Sequence, residues 1–127
     1  GMERPLGQVM LEPTRIYVTA VLETLKAHPS AIHAMAHITG GGLVENLPRV
    51  LPDGLAPDVA WGSWPEPAIF GAVRRAGVDE VEMRRTFNLG IGFVFLVAAD
   101  DAEAVKAGLE ARGETVWSMG RVVEAAP

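Results

Sequence analysis

Ile32-His33-Ala34-Met35-Ala36-His37-Ile38-Thr39-Gly40-Gly41-Gly42 decides how the rest of the chain is read. Ile32, Ala34, Ala36 and Ile38 alternate with His33, Met35, His37 and Thr39. A period of two means a strand with two different faces. The strand runs into three glycines, a stretch of backbone with no side chains. Leu43, Val44, Leu47, Val50 and Leu51 follow at mostly helical spacing, so a helix opens near the glycines. Pro48 keeps that helix short or broken. Consecutive glycines between a strand and a helix let several N–H groups turn toward one spot, with the helix start behind them, which makes an anion-binding nest. The same glycines also suit a tight turn that needs positive φ. Residue chemistry alone does not separate the two readings. The turn is not a P-loop, because no Gly-Lys-Ser/Thr follows, and the spacing of a dinucleotide fingerprint fails.

Working outward toward the N-terminus, Val18, Val21, Leu22 and Leu25 mark one helix face between Arg15 and His28, with Thr14 as its expected N-cap and Pro29 as its stop. Toward the C-terminus, Pro52 to Pro65 is rich in Pro, Gly and Asp, with a short strand expected at Val59-Ala60-Trp61. Ile69, Phe70, Val73 and Ala76 mark a helix ended by Gly77, and Asp79 to Arg85 reads as a short charged one. Ile91 to Ala99 is nearly all apolar and predicts a central strand buried on both faces. Asp100 to Arg112 predicts a helix with Asp100 and Glu103 as a capping box and Gly113 at its end. Thr115 to Val123 predicts the last strand. The expected class is α+β, a mixed sheet covered by helices.

Asn88-Leu89-Gly90-Ile91-Gly92 is a second glycine-containing approach to a strand. Missing Cβ atoms at Gly90 and Gly92 admit a ligand or, more often, another piece of backbone or a packed neighbour. His33 and His37 do not make a metal pair. At strand spacing they stand roughly 13 Å apart, and Ala34 occupies the place of the glutamate in a zincin helix. His37, two residues before Thr39, is placed to bond a phosphate or move a proton, although histidines in such positions are more often structural. Arg49, Arg84 and Arg85 are the basic residues nearest these motifs, and arginine's fork of donors pairs well with phosphate. Trp61, Trp64 and Phe70 read as core or interface aromatics. No Ser–His–Asp order and no close carboxylate pair stands out.

The 127 residues suit one domain; 49% hydrophobic and 21% charged residues allow a true core. A net charge of −5 argues against non-specific nucleic-acid binding, which needs a cationic surface. It leaves room for a small phosphorylated ligand at a locally positive site. The absence of cysteine excludes disulfides, thiolate metal sites and cysteine nucleophiles, and makes the cytoplasm the simplest setting. No apolar run reaches the roughly 18 residues of a membrane span. Glycine ahead of methionine reads as a scar of tag removal, so residues 1–10 are expected to be scar and lead-in, and residues 11–127 the domain.

Several strings, taken in order, resemble one family: Leu11-Glu12-Pro13-Thr14-Arg15-Ile16-Tyr17-Val18, Ala36-His37-Ile38-Thr39-Gly40-Gly41-Gly42-Leu43, Glu45-Asn46-Leu47-Pro48-Arg49-Val50-Leu51-Pro52, Trp64-Pro65-Glu66-Pro67-Ala68-Ile69-Phe70, Glu82-Met83-Arg84-Arg85-Thr86-Phe87-Asn88 and Gly90-Ile91-Gly92. They are similar to the C-terminal domain of AIR synthase, the phosphoribosylformylglycinamidine cyclo-ligase of purine biosynthesis. The resemblance implies an ATP- and magnesium-dependent reaction in which ATP activates a formyl oxygen and a substrate nitrogen closes the imidazole ring. It implies a groove between two domains, with an N-terminal domain bringing most ATP and metal contacts. That partner domain is not in this sequence. The chain alone is therefore expected to be inactive, to hold no tightly bound cofactor and to self-associate through the face left open. Carried over, the groove residues are His37 in a catalytic role, with Thr39, Gly40, Gly41, Gly42, Asn46, Arg49, Asn88, Gly90 and Gly92 toward a phosphorylated purine-pathway intermediate. Exchange of Gly41 for valine is expected to spare the fold and weaken ligand binding. The alternative is a stand-alone phosphate-ligand binding or regulatory module of the same fold.

Overall fold

The computed structural model describes residues 3–126; Gly1 and Met2, read above as a scar, lie outside them, as does Pro127. The elements are α1 (Leu6–Met10), α2 (Val18–Ala27), β1 (Ile32–His37), α3 (Gly42–Asn46), β2 (Leu55–Val59), α4 (Ala68–Arg75), α5 (Glu80–Thr86), β3 (Phe93–Val97), α6 (Ala102–Glu110) and β4 (Gly120–Glu124). The class is α+β, and the strands form two antiparallel ribbons in place of one mixed sheet. In the first, Met35 faces Phe95, Ala36 faces Val94 and His37 faces Phe93. In the second, β2 and β4 run from Leu55 opposite Glu124 to Val59 opposite Gly120.

The apolar run at β3 follows from two cores, one on each face of the strand. Val94 and Leu96 join Ala36, Ile38, Leu43, Leu47, Trp64 and Ile91 on one side. Phe95 and Val97 pack with Ala31, Val105 and Leu109 on the other. Both faces are thus covered, as a continuous hydrophobic strand requires. The strand is not central, however. Among the described residues its only strand partner is β1, and its second edge borders a cavity of about 390 Å³ with residues 114–120 on the far side.

Four boundaries differ from the sequence reading. Helix α2 starts at Val18 rather than near Arg15, and Thr14 does not cap it. Arg15 is instead held away from the helix by Glu114 at 2.9 Å and by the Gly113 carbonyl at 3.1 Å. Asp100 and Glu103 make no capping box, because Ala99–Asp101 forms a turn of 3-10 helix ahead of α6. The strand expected at residues 59–61 ends at Val59, although Ala60 N–H still donates to Met119 O at 2.8 Å. The last strand starts at Gly120, not Thr115.

The break at Pro48 appears as expected. Helix α3 stops at Asn46 and a 3-10 turn, Pro48–Val50, follows. Asp79 caps α5 by accepting from Glu82 N–H at 2.9 Å, with Arg84 and Arg85 in the last turn where the helix dipole favours cations.

Candidate phosphate-binding site

The two glycine segments meet. Ile38 N–H, at the end of β1, donates to Gly92 O at 2.9 Å, which seats Thr39–Gly42 beside Asn88–Gly92. Gly42 seals the junction. It is buried, its φ is +56°, and a Cβ there would lie 2.5 Å from Phe87 O and 2.6 Å from Arg84 O. Only glycine lets the start of α3 sit this closely on the end of α5.

The neighbouring glycines have different reasons to be glycine. Gly41 adopts φ +96°, and a Cβ would meet the Glu45 carboxylate 2.6 Å away. Valine at this position is strained by both backbone and neighbour, so the expectation that it would spare the fold is corrected. Gly40 is exposed, has no positive φ and would meet nothing within 4 Å of an added Cβ. The Thr39, Gly40 and Gly41 amides donate to no acceptor among the described residues, whereas Gly42 N–H returns to Thr39 O at 3.1 Å.

Asn46 is turned inward. It is 7% exposed, and its Nδ2 donates to the carbonyls of Gly42 at 2.7 Å, Gly40 at 3.2 Å and Thr39 at 3.3 Å. Its amide therefore shapes the turn from beneath. Arg49 lies on the outside, 3.8 Å from Glu45, and Arg85 approaches the same carboxylate at 3.4 Å. Arg84 is used elsewhere: its guanidinium lies 4.5 Å above the Trp61 ring, and it pairs with Glu80 at 3.1 Å.

In the second segment Asn88 Oδ1 accepts from Gly90 N–H at 3.0 Å. Gly90 has φ +98° and packs on Pro67, and Leu89, fully buried, carries φ +51°. Trp64 Nε1 donates to Leu89 O at 3.0 Å and holds that strained residue. Gly92 admits a side chain rather than a ligand: a Cβ there would overlap the Tyr17 phenol. Burial, with a smaller contribution from Glu114, raises the Tyr17 hydroxyl above its ordinary ionisation range.

His37 is exposed at the end of β1 and makes no hydrogen bond to protein among the described residues. Its ring lies 6.1 Å from Tyr17 and 6.2 Å from Phe93, and Tyr17 and Phe93 are 5.4 Å apart. Sequence reasoning brought His37 to the corner, as the alternation and the glycine turn required. It missed Tyr17 and Glu45, because a tyrosine in an extended stretch and a glutamate in a short helix carry no local signal of what they will touch.

The profile of the family described as "AIR synthase related protein, C-terminal domain" matches residues 2–126. The chain is 52% identical over 118 residues to a phosphoribosylformylglycinamidine cyclo-ligase of Albidiferax ferrireducens, covering 92% of this chain and 33% of that protein. It is 50% identical over 120 residues to the enzyme of the same name from Bacillus velezensis, covering 94% and 34%. For that of Pseudothermotoga lettingae the identity is 47% over 123 residues, covering 96% and 36%. The chain thus spans about a third of the length of the curated relatives it matches.

Proposed function

Because the chain belongs to the family of AIR synthase related protein C-terminal domains, we propose that it forms one wall of the site of an ATP-dependent cyclo-ligase that closes the imidazole ring of a purine precursor. In this reading the exposed glycine turn receives a phosphate group of the ribonucleotide substrate or of ATP. One observation carries it: three consecutive amides, Thr39 to Gly41, have no acceptor among the described residues, beside a glycine whose added Cβ would meet nothing within 4 Å. Backbone N–H groups collected in this way stabilise an anion by fixed partial charges. Helix α3 has five residues, so the amides themselves, and not a helix dipole, are the supporting feature.

The ring closure needs the formyl oxygen turned into a leaving group and the attacking nitrogen held against the same carbon. Positioning and charge stabilisation supply most of that catalysis. His37, whose ring nitrogens bond to no protein group among the described residues, is placed to donate to a phosphate oxygen or to take the proton released as the nitrogen attacks. Among the described residues no three His, Asp or Glu side chains gather in a way that could hold a metal ion.

The test uses Gly40→Val. Gly40 has no positive φ and an added Cβ meets nothing within 4 Å, so the backbone tolerates the change, which adds bulk to the turn itself. The variant is expected to unfold with the wild-type midpoint and to lose at least tenfold in affinity for ribose 5-phosphate, followed by titration of the Thr39–Gly41 amide resonances. Unchanged affinity in a folded variant would remove the turn from the site.

A further inference from the structure

Asp53-Gly54 is the one place in the chain where an aspartate or asparagine precedes glycine. Asp58, Asp79, Asp100 and Asp101 each precede a residue with a side chain, and Asn46 and Asn88 precede leucine. The pair forms the tip of the turn that leads into β2. Leu55 N–H donates to Pro52 O at 3.2 Å, so Asp53 and Gly54 are the two central residues. Both are exposed, and Gly54 carries φ +85°. Gly54 O accepts from Ala125 N–H at 2.8 Å, which continues the β2–β4 ladder one residue beyond Leu55 and Glu124. Gly54 N–H donates to no acceptor among the described residues, and the Asp53 carboxylate has neither a hydrogen bond nor an ion pair among them. A Cβ added to Gly54 would meet nothing within 4 Å, so nothing crowds its nitrogen.

We infer that Asp53 is a site of spontaneous backbone modification in the folded protein, where the peptide bond to Gly54 migrates onto the aspartate side chain. The Gly54 nitrogen forms a bond to Asp53 Cγ. The bond from Cγ to its hydroxyl breaks, and the hydroxyl leaves with the amide proton as water. A five-membered imide results. Water then opens the ring at one of its two carbonyls. Opening at the main-chain carbonyl leaves the chain running through Cγ, an isoaspartyl link with a free α-carboxylate. One water is lost and one regained, so no oxidant, metal or other reactant is required. Three features select this bond. A Cβ on the attacking residue would obstruct the approach to Cγ, and glycine has none. The tip must swing to bring nitrogen and Cγ together, and an exposed turn allows that movement. Neither reacting group has to leave a partner first. Asp58 differs in each respect, since it lies within β2, precedes Val59 and is held by Arg121 at 3.1 Å. The new link is one carbon longer. It draws Gly54 O away from Ala125 N–H and frays the β2–β4 ribbon from that end. The free α-carboxylate on a side-chain-linked backbone is the group esterified by isoaspartyl carboxyl methyltransferases that use S-adenosylmethionine, so the ageing protein becomes a substrate for an enzyme of that class.

The test ages the folded 127-residue chain at neutral pH and then labels it with an isoaspartyl methyltransferase and S-adenosylmethionine bearing a radioactive methyl group. Peptide mapping locates the label. A protease that cuts ahead of aspartate, and not ahead of isoaspartate, supplies a second readout through loss of the cut between Pro52 and Asp53. The label is expected only in the peptide that spans Asp53 and Gly54, growing with time, and the Ala125 amide is expected to lose its protection from hydrogen exchange in the aged fraction. Asp53→Glu alters an exposed side chain without a partner among the described residues and is expected to lose the label entirely, because its ring would need six members and closes far more slowly. Asp53→Asn is expected to gain label faster, because ammonia then leaves in place of water. Label spread equally over the other aspartates would overturn the assignment, as would label undiminished in Asp53→Glu. Label at Asp53 that forms only in chain aged unfolded in urea would overturn it too, since the folded turn would then guard the bond.

Discussion

At the scale of single residues, the glycine turn divides into positions that build it and positions that face outward. Gly42 and Asn46 build it. Gly42→Ala forces a Cβ into two backbone carbonyls that cannot move without shifting α5, and is expected to cost about 2–3 kcal/mol. Asn46→Ala strips donors from three turn carbonyls and is expected to cost about 2 kcal/mol. Chemical denaturation of the two variants checks both figures, and stability within about 0.5 kcal/mol of wild type would contradict the structural assignment. Three adjacent glycines looked equivalent in the sequence because the pattern shows where side chains are missing and not what would have met them. The distinction depends on Phe87 O, Arg84 O and Glu45, which the chain brings in from elsewhere.

At the scale of elements, the strongest local periodicities survived folding and the boundaries moved. The alternation of residues 32–39, the break at Pro48 and the short charged helix after Asp79 are decided by neighbours a few residues away. Each was readable for that reason. The start of α2 goes with a tertiary contact, Arg15 with Glu114, and the capping box at α6 gives way to the 3-10 turn at Ala99–Asp101, so propensity yields in both places. Helices α4 and α5 are tied by a charged clamp. Arg74 donates to Glu66 at 2.6 Å and to Glu80 at 2.8 Å. Its partners, Glu66 first and Glu80 second, raise the guanidinium above its ordinary range. The Arg74 hydrogen bond, helped by Arg84, holds the Glu80 carboxyl below its ordinary range. A depressed carboxyl contributes stability that is present above the unfolded value, about 4.3, and is lost as pH falls through the folded one. Glu80→Gln is therefore expected to lower stability slightly above about pH 4.3, an exposed pair being worth little, and to flatten the acid limb by the same small amount, so that variant and wild type converge as pH falls. Melting curves taken at descending pH check this; parallel acid limbs for variant and wild type would rule out the clamp as a contributor.

At the scale of the whole molecule, most of the large apolar residues left exposed fall in the N-terminal stretch, with Val44, Leu55, Val81 and Val122 standing elsewhere. Leu6, Met10, Leu11, Ile16, Val18 and Leu22 follow one another along the N-terminal third, each between 49% and 84% exposed. Surface of this kind in one region marks something that is normally covered. We propose that this chain self-associates through it. Light scattering is expected to show mass rising with concentration, and replacement of Ile16 by lysine is expected to return the monomer; a monomer at every concentration would count against it. Composition predicted an apolar surplus, but only the fold could say where it gathers, because Val18 and Leu22 share the α2 stripe with Val21 and Leu25, which are partly covered.

Tyr17 is the one tyrosine in the chain, and its phenol is packed over Gly92 beside the His37 and Phe93 rings. Every phenolate signal in an ultraviolet titration of this protein therefore comes from a single atom at the candidate site. Since burial already holds that hydroxyl neutral beyond its ordinary range, an occupant that deepens its burial shifts the optical transition further toward alkali, and one that opens the corner brings it back. The protein carries its own indicator dye, placed beside the candidate site and silent everywhere else.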